Sequence, residues 1–183
     1  MKIKDNLQYI WLIFAAATVG IDRLTKWLVT SNMQLNDTIH LIKIGDTEVL
    51  NLYYCLNSGA AFSRLSGQTI LLIVLTSIVI VGLLFLMITK RVKRPVYMAA
   101  ISLIIGGGIG NLIDRIFNNG LVVDFIDVRI INFAIFNFAD ICAVCGAGLL
   151  MIVVIADEIR EKKRKKSASA QNNEVTDGDG KKS

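Results

Sequence analysis

Five aspartates in this 183-residue chain stand where charge is expensive: Asp22, Asp114, Asp124, Asp127 and Asp140 all fall in or beside long apolar runs. An ionisable side chain at the centre of an apolar span costs about 2.5 to 3.5 kcal/mol on insertion scales, and less near the interface, so each is a candidate for function. Asp22 and Asp114 are followed directly by cations, in Asp22-Arg23 and Asp114-Arg115. They read as helix-pinning partners of Arg23, Lys26, Arg115 or Arg129. Asp124, in Val122-Val123-Asp124-Phe125-Ile126, and Asp140, in Phe136-Asn137-Phe138-Ala139-Asp140-Ile141, have no cation within three residues. Two carboxylates in an apolar setting are most cheaply kept by sharing one proton, and such a pair can activate water at neutral pH.

Other chemistries fail on counting. His40 is the only histidine and sits in a strand-like stretch, so a Ser-His-Asp triad would have to be built around an ordinary polar strand residue. Cys142 and Cys145 form a Cys-x-x-Cys in an apolar helix with no second pair and no nearby histidine, where a zinc site usually needs four such ligands. They read as small packing residues. Cys55 is then an odd thiol, which implies no disulfide framework. Gly106-Gly107-Gly108-Ile109-Gly110 does not satisfy G-x-G-x-x-G. Gly106 and Gly110 instead give a small-xxx-small face for close helix contact. No metal and no cofactor is expected. Asn57, Asn111 and Asn137 are amides near the same boundary as the acids, able to satisfy buried backbone, cap helices or bind a ligand's peptide groups; Asn57, before Ser58-Gly59, also reads as a turn residue.

The elements that must hold these groups are membrane helices. Hydrophobic residues make up 54% of the chain and charged residues only 19%, below the quarter or so of a soluble domain, and the mean hydropathy is +0.56. Thr69 to Thr89 is an uncharged run long enough to cross a hydrocarbon core of about 30 Å. Three further spans are expected, giving helices at about 9–29, 69–89, 96–113 and 137–156. The first would end in two turns polar on one face, with Asp22 and Lys26 four residues apart on it. The fold class is therefore an all-α polytopic membrane protein of four transmembrane helices with a small extracytoplasmic β-hairpin or sheet. Lys2 and Lys4 before an apolar stretch imitate a cleavable leader, but the polar end of the first helix and the spans after it favour a retained helix.

Lys and Arg set the orientation. Twelve lie in the flanks of one side (Lys2, Lys4, the Lys90–Arg94 loop and Arg160–Lys166), against Lys43, Arg64 and Arg129 in the loops of the other. The positive-inside rule then puts both termini in the cytoplasm and the acids near the outer face. The net charge of +5 is explained by this asymmetry, and no nucleic-acid partner is expected. In the outer loop, about 30–67, Thr38–Ile44 and Val49–Leu56 flank Gly45-Asp46. The alternation of Leu50, Leu52, Tyr54 and Leu56 predicts a hairpin on the outer membrane face. Residues 1–161 form one membrane-embedded domain on this reading. The tail 162–183, basic and then rich in Ser, Ala, Asn and Gly, has no apolar face to bury and is expected to be disordered in the cytoplasm, its basic part against anionic lipid.

Taken together, five ordered segments resemble the bacterial lipoprotein signal peptidases, membrane aspartyl proteases of four helices. They are Asp22-Arg23-Leu24-Thr25-Lys26, Asn57-Ser58-Gly59-Ala60-Ala61-Phe62, Gly107 through Arg115, Val122-Val123-Asp124-Phe125, and Phe136-Asn137-Phe138-Ala139-Asp140. The resemblance implies that Asp124 and Asp140 are the catalytic dyad and that Asn57, Asn111, Arg115 and Asn137 surround it, with Asp22 and Lys26 in support. It implies a prolipoprotein substrate whose cysteine already carries diacylglycerol, cut just before that cysteine at the outer face, with the hairpin as the family's substrate-cradling sheet. Membrane lipid is the expected surrounding and a monomer the expected state. Phe62 and Phe125 are expected among the apolar walls for the acyl chains.

A reading from another class is a small proton-coupled carrier with an intramembrane Asp relay. It predicts acids deep in a span and symmetric halves. This chain gathers its acids at one end, and its only internal echo is Ile21-Asp22-Arg23-Leu24 against Ile113-Asp114-Arg115-Ile116.

Overall fold

The chain is seen in a computed structural model that describes residues 7–59, 69–131 and 133–179. Lys2, Lys4, Arg64 and the Ala60-Ala61-Phe62 part of the second motif lie outside the described residues, so the wall expected from Phe62 is not seen. The elements run in the order α1 (Leu7–Asn32), β1 (Thr38–Ile44), β2 (Thr47–Asn57), α2 (Thr69–Ile88), α3 (Pro95–Phe117), β3 (Val122–Asp127), a 3₁₀ turn (Arg129–Ile131) and α4 (Phe138–Asp179).

The ends of α3 and the end of α2 have local reasons. In α3, Pro95 opens the first turn, where its missing N–H costs nothing. The other end closes as the Asn118 N–H donates to the Asp114 carbonyl at 2.7 Å, and Asn119 and Gly120 then turn the chain with positive φ. A Cβ on Gly120 would stand 2.7 Å from Thr69 Cγ2, so glycine is required where the end of α3 meets the start of α2. Helix α2 is apolar throughout and ends where Lys90 takes φ 57°.

Helix α3 is central, packing against α1, α2 and α4. Its glycines make this possible. A Cβ on Gly106 would lie 2.7 Å from Thr18, one on Gly110 2.6 Å from Asp22, and one on Gly107 2.3 Å from the Ala139 carbonyl. The small-residue face read from Gly106 and Gly110 is thus the α1 contact, and Gly107 serves α4. One apolar cluster, including Ala15, Ile80, Met87, Met98, Ile101 and Ile105, joins α1, α2 and α3. A second, of Val29, Met33, Val123 and Phe125, lies beneath the sheet.

The structure bears on the sequence reading in three places. The hairpin β1–β2 turns at Gly45-Asp46 as expected, but the sheet has a third strand: β3 pairs antiparallel with β2, in the order β1-β2-β3. The sequence reading assigns no strand to Val122–Asp127. Four of its six residues are apolar, and their near-complete burial hides the alternation that marks a half-exposed strand. Helix α4 does not stop near 156 but runs to Asp179, through the tail expected to be disordered. Strong helix formers follow Ala156, Glu161 and Lys165 pair four apart at 2.7 Å, and no proline intervenes. Finally, α2, α3 and α4 as far as Lys166 are long and apolar enough to cross a membrane, whereas α1 carries Asp22, Arg23 and Lys26 in its second half and is not among them.

Candidate active site

The site is assembled where the first turn of α4, the last turns of α1 and α3, and the inner strands of the sheet meet. Asn137 precedes α4 and caps it: its Oδ1 accepts the Asp140 N–H at 3.0 Å, while Asp140 Oδ2 accepts the Asn137 N–H at 3.1 Å. This reciprocal box is the local reason that Asn-x-x-Asp stands at a helix start. It fixes the Asp140 carboxylate on the first turn, where the helix dipole favours negative charge.

Asp124 arrives from the sheet, opposite Cys55 in the β2–β3 register, and is only 1% exposed. The Asn57 amide donates to its Oδ2 at 2.8 Å and the Asn137 amide to its Oδ1 at 2.6 Å. Burial, and secondarily the charge of Asp140, push the Asp124 carboxyl from an ordinary 3.8 up to about 7, against the opposing effect of these hydrogen bonds. Asn137 therefore touches both carboxylates. Asn111 completes the bridge, donating to Asp140 Oδ1 at 2.7 Å and accepting from Asn137 at 3.0 Å.

Behind the amides lies a buried ion cluster. Lys26, 3% exposed, reaches Asp22 at 3.0 Å, Asp114 at 2.8 Å and the Asn111 carbonyl oxygen at 3.0 Å. Arg23 spans the same two aspartates, at 3.0 Å from Asp22 and 2.7 Å from Asp114. The free acceptors of both acids take backbone N–H groups: Asp22 from Ala139 in α4, Asp114 from Val123 in β3. The expected pairing role of Asp22 and Asp114 is what the geometry gives, with a consequence unread in the sequence: the cluster ties α1 and α3 to the very residues that flank Asp140 and Asp124. Arg115, half-buried, feels the charges of Asp140, Asp124 and Asp114. Asp127 is held apart, paired with Arg129 at 2.7 Å.

The site opens into a cleft of about 470 Å³ bounded by Cys55–Ser58 of the sheet, the Phe133–Phe136 segment, and Asp140 and Val144 of α4. Asp140 faces the cleft, and Asp124 sits under Asn57 at its edge. The sequence reading does not single out Phe133, Ala134 and Ile135, although the apolar run directly before Asn137 is a signal. Burial pushes the Cys55 thiol up to about 11, with Asp124 and Asp127 adding to the shift, so it stays protonated at neutral pH. Elsewhere, His40 lies on β1 against Asn51 and Glu48, at 3.1 and 3.2 Å. The three cysteines are free thiols.

Comparison with known proteins adds an independent line. The family described as Signal peptidase (SPase) II matches residues 14–156. The lipoprotein signal peptidase of Halalkalibacterium halodurans is 42% identical over 158 residues, covering 85% of this chain and 98% of that protein. That of Brevibacillus brevis is 36% identical, covering 80% and 95%. A bacterial membrane enzyme solved in meso at 2.3 Å superposes with a TM-score of 0.74 at 32% identity, covering 81% of this chain and 89% of its own. A second, at 1.9 Å, gives 0.70 at 33%, covering 81% and 94%.

Proposed function

The chain belongs to the signal peptidase II family of bacterial membrane proteases, and on that footing we propose that it removes signal peptides from diacylglyceryl-modified prolipoproteins, with Asp124 and Asp140 as an aspartic dyad. The observation that carries the reading is the Asn137 bridge, which holds two carboxylates from different elements at the edge of one cleft. The relatives' shared name, lipoprotein signal peptidase, supports the substrate class.

In the mechanism, Asp140 is the base. It lines the cleft, its charge is met by the Asn111 amide, the Asn137 N–H and the start of α4, and it takes a proton from water as that water attacks the scissile carbonyl. Asp124, whose burial favours the neutral form, begins protonated, polarises the carbonyl oxygen and supplies a proton as the tetrahedral intermediate collapses to release the amine. Asn57, Asn111 and Asn137 orient the carboxyls, Arg115 moderates their combined charge, and Asp22 and Lys26 hold the scaffold. Cleavage falls just before the lipidated cysteine, because the anchor keeps that residue at headgroup depth, where acyl chains and water both reach.

The topology follows the same reading. Helix α1 is the fourth span: Tyr9, Ile10, Ile13, Phe14, Ile21, Leu24 and Leu28 are exposed on its outside, while Asp22 and Lys26 are buried within the bundle. Both termini are cytoplasmic, the sheet lies on the outer face, residues 1–161 are the working domain and the protein acts as a monomer. The discriminating experiment offers the purified protein a prolipoprotein with and without its diacylglyceryl group. Cleavage of the modified form alone is expected. Equal cleavage of both would remove the lipid from recognition, and cleavage of neither would return the proton-carrier reading.

A further inference from the structure

The end of the bundle away from the dyad holds a separate cavity. Helix α2 closes there with the Lys90 N–H on the Met87 carbonyl at 3.1 Å and the Arg91 N–H on the Leu86 carbonyl at 3.2 Å, Lys90 taking φ 57°. This is a left-handed helix cap. Val92 then packs against the cluster shared by α1, α2 and α3, and Pro95 starts α3. The loop is thus pinned at both ends and in its middle. It borders a cavity of about 320 Å³ lined by Arg91, Val92, Lys93, Arg94 and Tyr97. Along α3 this lies about 25 Å from Asn111.

Charge in the cavity is unbalanced. Arg94 and the Tyr97 hydroxyl both donate to Asp157 of α4, the latter at 2.8 Å, and Arg160 reaches the same carboxylate at 3.8 Å. One acid therefore serves two arginines. Among the described residues, Arg91 and Lys93 have no carboxylate partner. Arg91 instead lies over the Phe85 ring, 5.7 Å from its centroid. Phe85 and Ile88, three apart on α2, are exposed on its apolar surface. Arg94 gives α3 no side-chain cap, so the positive end of that helix adds to the charge there.

Charge and position together select the occupant. A soluble anion would meet the cations but gain nothing from Phe85 and Ile88, and an apolar ligand would leave Arg91 and Lys93 uncompensated. We propose that the cavity binds the headgroup of a phospholipid of net negative charge, its phosphate between Arg91, Lys93 and the start of α3 and its acyl chains along Phe85 and Ile88. On the topology proposed above, this lipid belongs to the cytoplasmic leaflet, opposite the one in which peptide is cut. A zwitterionic headgroup carries the same phosphate but brings a further cation into a space already surplus in positive charge, so the site discriminates between the two.

The test titrates the full-length protein in neutral detergent with dioleoyl phosphatidylglycerol or dioleoyl phosphatidylcholine and reads the melting midpoint, which a ligand of the folded state raises. Phosphatidylglycerol should raise it and phosphatidylcholine should not. Arg91→Gln/Lys93→Gln should need about 30-fold more phosphatidylglycerol for the same shift, the worth of two cations near a lipid surface. Lys93→Gln alone should need about fivefold more. The Lys93 side chain makes no hydrogen bond or ion pair among the described residues, so this variant keeps the test open if the double one does not fold. Arg164→Gln/Lys166→Gln removes the same charge from exposed positions about 10 Å or more beyond Asp157 along α4. At about 0.1 M salt that distance is screened, and this variant should stay within about threefold of wild type. Equal weakening by the loop and α4 double variants would overturn the proposal and give the effect to diffuse charge, as would equal shifts from the two lipids. Inorganic phosphate reproducing the phosphatidylglycerol shift would also overturn it, giving the cavity to a free anion.

Discussion

Asn137 Nδ2 stands 2.6 Å from Asp124 Oδ1, while the backbone of the same asparagine is locked to Asp140 by the helix cap. One residue therefore sets the separation of the two carboxyls. Asn137→Ala should lower kcat at least about 100-fold, the scale of losing pre-organised geometry. It should also cost about 1 to 3 kcal/mol of stability for the unsatisfied partners it leaves, read in a thermal melt. Near-normal turnover in the folded variant would mean that the bridge does not position the pair.

The raised value at Asp124 gives a pH dependence of definite sign. Its carboxyl moves from 3.8 to about 7, so the folded state holds a proton that the unfolded chain has lost. The stabilisation is complete below 3.8 and disappears as pH rises through about 7. Cleavage, needing Asp124 protonated, should fall along an alkaline limb near pH 7. Asn57 donates to the charged form, so Asn57→Ala should move that limb upward while lowering the rate. A limb that stays in place or moves down would contradict the assignment of Asp124 as the acid.

Much of the site was legible because chemistry made it conspicuous. Acids at the ends of apolar runs are costly, so Asp124 and Asp140 stand out before any geometry, whereas Asn111 and Asn137 are placed beside them only by the family resemblance. Their convergence depended on long-range contacts that no local pattern carries: β3 reads as one more buried run until β2 pairs with it, and the Asn-x-x-Asp box before α4 went unread beside its aspartate. The polar end of α1 was visible, but that Lys26 would reach Asn111 across the bundle was not. The tail is a different case. It has no apolar face to bury, and α4 nonetheless continues through it to Asp179, favoured as far as Lys166 by the helix-forming Glu, Lys and Arg residues.

Lys26 is the more deeply buried of the cluster's two cations, and removing it leaves Asp22 and Asp114 to share the single charge of Arg23. Lys26→Ala should destabilise the protein by about 3 kcal/mol, the lower end of the cost of breaking a buried pair from one side, because Arg23 still meets both acids. Thermal melting in detergent reads this directly. A change under about 1 kcal/mol, the scale of exposed pairs, would show that the cluster is solvated.

A reporter fused after Ser183 should report the cytoplasm, and one inserted at the Gly45 turn the outside. Either result reversed would remove the four-span topology, and with it the placement of the dyad at the outer face.

The most direct test compares wild type, Asp124→Asn and Asp140→Asn on a diacylglyceryl-modified prolipoprotein, each variant first shown to insert and melt like wild type. Both substitutions keep the size of the side chain and remove its acid–base function. The account predicts that each loses at least about 10³-fold in cleavage rate, within the range that general acid–base groups supply. Substantial cleavage by either folded variant would take that aspartate out of the dyad.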